Sequence, residues 1–261
     1  MAKLNFSVCI EMLFGNLELL QRPAAVAAAG MPAFEFWGWG NKPMDDIKAA
    51  ADAAGVKIAG FCCDGGVPLV DPKTTDQWVE TAKGSIDEAK RLGVTTLIVT
   101  TGQEMADVCR CEQHKAIVAG LKGLAPYAEA NGVTLVLEPL NILVNHAGYY
   151  LSTSDEGFEI IDEVASPAVK LLFDIYHQQI TEGNLIDRIT ANLSKIGHFH
   201  VADVPGRHEP GTGEINYVNV FNKIAELGYD RHVGLEFTTT TTPEEALAKV
   251  KKIAGMCCCC K

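Results

Sequence analysis

The segment LAPYAEANGVTLVLE, residues 124–138, joins three local signals in a fixed order. An alanine-rich stretch with helical spacing comes first, Gly132 follows it, and a short β-branched run ends at Glu138. A glycine directly after a helix supplies the left-handed backbone conformation that many helix ends need. An apolar run of roughly four to eight residues is typical of a strand buried in a parallel sheet. The segment therefore predicts a helix, a turn and a strand.

The same order recurs along the chain, for example in residues 47–63, 86–100 and 221–237. Eight units in 261 residues average about 33 residues each, and a (β/α)8 TIM barrel has typically about 250 residues. A doubly wound open sheet is the alternative, but no Gly-x-Gly-x-x-Gly segment follows the first strand. The sequence predicts a single α/β TIM barrel whose strands lie at about 4–10, 33–38, 57–63, 95–101, 133–138, 169–174, 196–201 and 232–237.

The domain organisation follows from the continuity of this repeat along the chain. A proline- or serine-rich linker is absent, which favours one domain over residues 1–256. Residues 257–261 read CCCCK and are predicted to be a disordered, cysteine-rich tail. Cys109 and Cys111 form a weak candidate metal pair, because two thiols without a second pair do not complete a zinc site.

Composition and charge exclude several classes of partner. A net charge of −11 disfavours nucleic acid, because phosphate binding needs a basic surface. No apolar run reaches the roughly 18 residues that span a membrane, and the first residues lack the pattern of a secretory signal. Nine cysteines without an export signal indicate a reducing cytoplasm. A homo-oligomer remains open as the one macromolecular partner.

Four consecutive predicted strands end in residues that bind metal ions. Active sites of TIM barrels lie at the carboxyl ends of the strands, so these side chains are expected to converge. Three neighbouring carboxylates repel one another unless a positive charge neutralises them, and a divalent cation is the simplest such charge. Oxygen ligands with one imidazole suit Mn²⁺ or Mg²⁺, with Co²⁺ also compatible, and no organic cofactor is indicated. The predicted metal ligands are Glu138, Asp174, His200 and Glu236.

For other residues near the strand ends, the sequence allows both a functional and a structural role. His198 precedes His200 by two residues, so it is expected on the same face but deeper, where a hydrogen-bonded core histidine is the simpler interpretation. Trp37 and Trp39 end the second strand and can line a small-molecule site or pack as core. Glu11, after the first strand, can also reach the mouth of the barrel.

The chain resembles the xylose-isomerase-like TIM barrels, a family of sugar isomerases and epimerases, and within it the hydroxypyruvate isomerases most. The stretches SVCIEMLFG, LEPLN, FDIYHQQITEGNL, IGHFHVADVPGRHEPGTGEINY and VGLEF carry the resemblance and cover both ends and the second half. The resemblance makes Glu138 and Glu236 catalytic acid/base residues as well as metal ligands. His177 and Arg207 would bind substrate oxygens, and Trp37 is a further substrate-binding candidate.

The activity implied is a metal-dependent isomerisation of small hydroxy-carbonyl compounds through an enediolate, an intramolecular oxidoreduction of the hydroxypyruvate/tartronate semialdehyde type. A guanidinium at Arg207 would neutralise a substrate carboxylate beside three acidic groups. His200 is a departure, because hydroxypyruvate isomerases often have Gln at this position and ketose 3-epimerases have His. A ketose 3-epimerase of C4–C6 sugars is therefore the alternative, and the four ligands do not decide between the two outcomes.

Two rivals come from other classes of protein. A DNA-repair nuclease on a similar barrel would need several more histidine ligands and a basic groove, and the chain has only seven histidines. A non-catalytic sugar-binding protein would be expected to lose a ligand or a base, whereas all four positions are filled. A small-molecule substrate is the expectation that remains.

Overall fold

The computed structural model describes residues 4–255, and these form the predicted closed barrel. Each strand pairs in parallel with the next, and the eighth pairs with the first. The prediction of a single (β/α)8 barrel is confirmed, while the predicted tail at 257–261 lies outside the described residues. The strands are β1 Asn5–Cys9, β2 Ala33–Phe36, β3 Lys57–Cys62, β4 Thr96–Val99, β5 Thr134–Leu137, β6 Val169–Asp174, β7 Ile196–Val201 and β8 His232–Leu235.

Helices follow the strands around the outside of the barrel. Within residues 4–255 there are nine α-helices, one more than the eight helical segments expected, because β6 passes directly into a short extra helix. The residues directly after β6, His177 among them, therefore lie in a helix. The helices are α1 Arg22–Ala28, α2 Met44–Ala54, α3 Thr75–Leu92, α4 Arg110–Asn131, α5 Ser154–Val164, α6 Ile175–Thr181, α7 Leu185–Asn192, α8 Tyr217–Glu226 and α9 Pro243–Ile253.

Glycines end α3 and α4 as the sequence predicts. Gly93 follows α3 with a φ of 72°, and Gly132 follows α4 with a φ of 68°. Both conformations lie in the left-handed region, which glycine enters without a steric penalty from a Cβ atom. The reversal returns the chain to the sheet within a few residues, so strands β4 and β5 start close to the preceding helix ends.

The core has two layers. A large apolar layer packs the helices against the outer face of the barrel, and a small cluster of Ile98, Val136 and Leu172 is separate from it. None of the helices within residues 4–255 is long and apolar enough to cross a lipid bilayer. Against this apolar background, the buried charged groups at the carboxyl ends of the strands mark the candidate site.

Candidate metal centre and active site

The four predicted metal ligands come together at the carboxyl-terminal mouth of the barrel. Glu138 directly follows β5, Asp174 ends β6, His200 lies in β7, and Glu236 directly follows β8. One potential ligand atom from each residue lies within 4.8 Å of those of the other three, and all four residues are buried. The spacing of one β–α unit in the sequence is thus converted into a cluster by closure of the barrel. Their role as ligands stays a prediction.

The geometry of the cluster fits a hard divalent cation. His200 Nδ1 lies 3.3 Å from Glu138 Oε1 and 3.4 Å from Glu236 Oε2. His200 Nδ1 and Glu138 Oε1 are buried and have no hydrogen-bond partner. Buried polar atoms are rarely left unpaired without a reason. Metal–oxygen distances of about 2.1 Å place opposite ligands about 4.2 Å apart, which matches a cluster of this size.

The electrostatics of the cluster are dominated by opposed effects of burial and charge. Burial acts to lower the pKa of His200, but the negative charges of Glu236 and Glu35 raise it well above its ordinary value. Burial acts to raise the pKa of Glu236, but His200, Arg207 and Trp37 lower it to about 2. Glu236 is therefore ionised, and the cluster has the negative charge that attracts a cation.

Asp174 is positioned by the helix that begins beside it. Its Oδ1 accepts hydrogen bonds from the backbone N–H groups of Tyr176 at 2.8 Å and His177 at 3.2 Å, so it caps helix α6. A capping carboxylate has a fixed orientation, because the helix supplies the donors. Its second oxygen, Oδ2, lies 3.5 Å from His177 Nε2. The short extra helix therefore fixes a ligand candidate and a substrate-binding candidate together.

His177 is fully buried in the first turn of α6, and its protonation can be deduced from its neighbours. The backbone N–H of Asn141 donates to His177 Nδ1 at 3.2 Å, so this nitrogen has to be the acceptor. Burial lowers the pKa of His177 to about 3, which keeps the ring neutral and leaves the proton on Nε2. His177 Nε2 has no hydrogen-bond partner. The ring thus offers a fixed, unused donor beside the cluster.

Arg207 reaches the cluster from the loop after β7. Its Nη2 donates to Glu236 Oε2 at 2.6 Å, and its guanidinium carbon lies 5.4 Å from the centre of the Tyr176 ring. Its Nε atom is buried without a hydrogen-bond partner, so the guanidinium keeps an unused donor. The residue has a φ of 57°, an uncommon conformation for a side chain with a Cβ atom. The loop therefore holds Arg207 where the free backbone would rarely place it.

A single carboxylate organises this loop. Asp203 Oδ2 accepts from the backbone N–H groups of Gly211, Thr212 and Gly213 at 2.8, 3.1 and 2.9 Å. Asp203 Oδ1 accepts from Ile215 N at 3.1 Å. The buried Asp203 side chain thus fixes the backbone conformation of the glycine-rich segment through four hydrogen bonds.

The two tryptophans of the second unit have different surroundings. Trp37 Nε1 donates to Glu236 Oε1 at 2.8 Å, and 45% of its surface remains exposed at the mouth. Trp39 Nε1 instead donates to Ser85 Oγ of α3 at 3.0 Å. Glu11 pairs with Lys42 at 2.8 Å and accepts from Trp37 N at 2.6 Å, so it supports the segment after β2. Of Trp37, Trp39 and Glu11, Trp37 is the one with a hydrogen bond to the donor cluster.

Sequence reasoning missed Glu35, which lies in the middle of β2 and is 2% exposed. Its Oε2 accepts from Ser7 Oγ at 2.6 Å and contacts His198 Nε2 at 3.0 Å. His198 is therefore the hydrogen-bonded buried histidine that the sequence suggested. The available signal was a charged residue between Phe34 and Phe36, inside an otherwise apolar strand.

A closed barrel of eight parallel strands with its buried charged groups at the carboxyl ends of the strands has the architecture of TIM-barrel enzymes. The family described as xylose isomerase-like TIM barrel matches residues 23–253 of this chain. The chain belongs to this family.

Relatives that match nearly the whole chain in sequence carry isomerase names. A 2-oxo-tetronate isomerase of Cupriavidus necator is 31% identical over 96% of this chain and 99% of its own length. A hydroxypyruvate isomerase of Escherichia coli is 30% identical over 94% of this chain and 97% of its own length. The chain is accordingly an enzyme of the isomerase and epimerase class.

Solved structures show how widely the fold is shared. A family 2 AP endonuclease from Brucella melitensis has a TM-score of 0.88 at 24% identity, covering 97% of this chain and 99% of its own. A D-psicose 3-epimerase from Clostridium cellulolyticum has a TM-score of 0.82 at 19% identity, covering 96% and 99%. These likenesses establish the barrel and leave the reaction to be argued from the site.

Proposed function

We propose that this enzyme is a divalent-cation-dependent isomerase that interconverts small hydroxy-carbonyl acids of the hydroxypyruvate/tartronate semialdehyde type through an enediolate. The observation that carries the proposal is the buried donor cluster flanked by two unused hydrogen-bond donors, His177 Nε2 and Arg207 Nε. The cluster accounts for a cation, and the donors account for substrate oxygens. Glu138, Asp174, His200 and Glu236 would hold Mn²⁺ or Mg²⁺.

Proton transfer falls to the two glutamates. A divalent cation in such a site polarises a carbonyl group and stabilises negative charge on the adjacent oxygens. Glu138 has a buried oxygen without a hydrogen-bond partner, which makes it the freer proton acceptor. Both oxygens of Glu236 are engaged, by Trp37 and Arg207, so its proton affinity depends on those contacts. One glutamate would remove the proton from the carbon beside the carbonyl, and the other would return a proton.

His177 and Arg207 would orient the substrate. The neutral His177 ring donates from Nε2, which suits a carbonyl or hydroxyl oxygen. Arg207 brings a positive charge to a mouth that holds three carboxylates, and a guanidinium is well matched to a carboxylate group. An acid substrate would otherwise be repelled by Glu138, Asp174 and Glu236. The relatives named for 2-oxo-tetronate and hydroxypyruvate, both acids with a hydroxyl beside a carbonyl, support this substrate class.

A ketose 3-epimerase is the second candidate, favoured by the β2 side of the mouth. Trp37 presents an exposed indole there, and apolar ring faces are common in sugar sites. A cavity of about 550 Å³ lies beside it, lined by residues that include Trp39, Cys62 and Asp64. Epimerisation would use the same proton transfers, with return of the proton to the same carbon from the opposite face.

A substrate panel tests the proposal. The metal-stripped enzyme is reloaded with Mn²⁺ or Mg²⁺ and assayed with hydroxypyruvate, a four-carbon 2-oxo acid with a neighbouring hydroxyl, and C4–C6 ketoses. We expect turnover of an acid, cation dependence, and exchange of a substrate C–H proton with solvent D₂O. Fast turnover of a ketose with none of the acids would replace the substrate class. Full activity without a divalent cation would remove the metal from the mechanism.

A further inference from the structure

We propose that Glu35 is a positioning residue that fixes the orientation and the tautomer of His200 so that His200 Nδ1 is free to bind the cation. The inference rests on the proposed metal centre. It concerns a residue outside the four-ligand cluster, on the opposite half of the barrel. Glu35 lies in β2, whereas His200 lies in β7.

The contacts of Glu35 determine which nitrogen atoms carry protons. Its Oε1 lies 2.8 Å from His200 Nε2, and its Oε2 lies 3.0 Å from His198 Nε2. An ionised carboxylate only accepts hydrogen bonds, so both imidazoles are expected to present N–H groups at Nε2. Metal binding releases the second proton of a histidine ligand, and a neutral His200 that keeps its proton on Nε2 would have its lone pair on Nδ1. That is the nitrogen that faces Glu138 and Glu236.

Glu35 is itself held in place by two donors. Ser7 Oγ in β1 donates to Glu35 Oε2 at 2.6 Å, and His198 Nε2 contacts the same oxygen. The second oxygen is left to His200. The Glu35–His200 contact is short but poorly directed, so neither atom has a well-aligned hydrogen bond. The ring torsion of a histidine is soft, so a small rotation aligns the N–H group with the carboxylate while the backbone stays in place.

A glycine in β8 leaves space for the contact between Glu35 and His200. Strand β8 separates β1 from β7, and Gly234 of β8 pairs with His200 in register. A Cβ atom at Gly234 would lie 2.6 Å from His200 Cδ2 and would also collide with Glu35 Oε1. The absence of a side chain at this one position is what lets a residue of β2 reach β7. The strand register also shifts between Phe34 and Glu35, and such irregularities re-aim side chains.

Carboxylates that accept from the second nitrogen of a histidine ligand are a recurrent feature of metal sites, and they raise the basicity of the ligand. Glu35, His198 and His200 could themselves offer three donor atoms to a cation. The bond from Ser7 and the lack of room around Gly234 favour hydrogen bonding over a second ion. The two interpretations of Glu35 predict different numbers of bound cations. A positioning Glu35 predicts one cation per chain, and a ligating Glu35 predicts two.

Mn²⁺ binding to the metal-stripped full-length enzyme tests the role without an activity assay. Free Mn²⁺ is measured by its electron paramagnetic resonance signal during titration of the wild type, Glu35→Gln and Ser7→Ala. Loss of such a supporting group typically weakens metal affinity by about 10–100-fold, which we expect for Glu35→Gln. Ser7→Ala removes one hydrogen bond from Glu35 and should weaken binding by up to about tenfold. Circular dichroism establishes that each variant is folded, and Ser7→Ala decides the question if Glu35→Gln is not.

Glu182→Gln is the matched control. Glu182, the residue after α6, accepts from Ser154 Oγ at the start of α5 at 2.7 Å, and this substitution should change thermal stability but not Mn²⁺ affinity. If the wild type binds Mn²⁺ and folded Glu35→Gln binds equally well, the positioning role is overturned and the metal centre stands. Two ions in the wild type and one in Glu35→Gln would make Glu35 a ligand and overturn the positioning role. Absence of binding to the wild type would overturn the proposed metal centre itself.

Discussion

The two halves of the barrel mouth are built from the same repeating unit but carry different chemistry. Strands β1 to β4 end in Cys9, Phe36, Cys62 and Val99, whereas the ends of β5 to β8 provide the four clustered donors. The first half acts on the cluster from outside it: Trp37 bonds to Glu236 from the rim, and Glu35 contacts His200 from below. The comparison shows that one fold can divide its mouth into a half that carries the clustered donor atoms and a half that contacts them. Substitutions in the two halves should therefore have effects of different size.

The largest effect is expected in the donor half, for Glu138→Gln and Glu236→Gln. Each substitution removes both a negative charge and a proton carrier, and general acid/base groups are typically worth about 10²–10⁴-fold in rate. We expect kcat to fall by at least that factor in steady-state assays with Mn²⁺, while circular dichroism remains unchanged. Near-normal turnover of either variant would remove that glutamate from the mechanism.

The control for these variants comes from the first half. Glu11 is also a carboxylate at a strand end, but it pairs with Lys42 at 2.8 Å and is not part of the cluster. Partly exposed ion pairs are worth about 0.2–1 kcal/mol, so Glu11→Gln should stay within about fivefold of the wild-type rate. A large loss in Glu11→Gln would contradict the division between the two halves.

The next effect concerns Arg207, which contributes a positive charge to the donor half. With an acid substrate, Arg207→Gln would leave the substrate carboxylate unpaired near three acidic groups. The activation free energy derived from kcat/KM should then rise by about 2–5 kcal/mol. With a neutral ketose the loss should approach that of the one hydrogen bond that Arg207 donates to the ionised Glu236, about 1.5–3 kcal/mol. Arg207→Lys is the matched variant, because it keeps the charge but loses the planar fork. Equal losses for acids and ketoses would argue against a carboxylate contact.

A smaller effect is expected where the first half touches the cluster, at Trp37. Trp37→Phe keeps an aromatic ring but removes the N–H group that donates to Glu236 Oε1 at 2.8 Å. Hydrogen bonds to charged groups are worth about 1.5–3 kcal/mol, so kcat/KM should fall by about 10–100-fold. Trp39→Phe is the matched control, since Trp39 donates to Ser85 of α3. If both variants lose activity equally, Trp37 acts through packing rather than through Glu236.

The smallest effect concerns stability of the loop that carries Arg207. Glu209 is buried and accepts from Thr240 N at 3.0 Å, which ties the loop after β7 to the loop after β8. Burial acts to raise the pKa of Glu209, but hydrogen bonds from Thr240 lower it overall. Glu209→Gln should reduce the free energy of unfolding by about 1–2 kcal/mol at neutral pH.

The pH dependence of that loss has a definite sign. A carboxylate whose folded-state pKa is lowered stabilises the fold above its ordinary pKa of about 4.3, and the contribution is lost as the pH falls through the folded-state pKa. The stabilities of wild type and Glu209→Gln, measured by urea unfolding, should therefore differ at pH 7 and converge as the pH falls below about 4.3 and through the lower folded-state pKa. A difference that stays constant into acid would mean that the charge of Glu209 is not responsible.

Particular residues show how far the sequence leads toward the site. The residues at 138, 174, 200 and 236 are predictable because each follows an apolar run and because barrel closure brings successive strand ends together. The environment of His177 was less accessible, since the extra helix α6 is too short to show a clear helical period. Glu35 was overlooked because a single charged residue in a strand does not reveal a partner that lies on the far side of the barrel.

The sequence by itself determines the repeating unit, the closed barrel, and the strand ends that carry carboxylates and imidazole. The repeating unit is a local feature, because hydrophobic periodicity and helix-ending glycines act within a few residues. The closed barrel follows from the number of these units in the chain. Only the tertiary structure decided that Trp37 and Arg207 share Glu236, that His177 keeps its proton on Nε2, and that Glu35 reaches His200 past Gly234. These contacts join residues far apart in the chain, and their distances depend on how strands stagger and pack around the closed barrel.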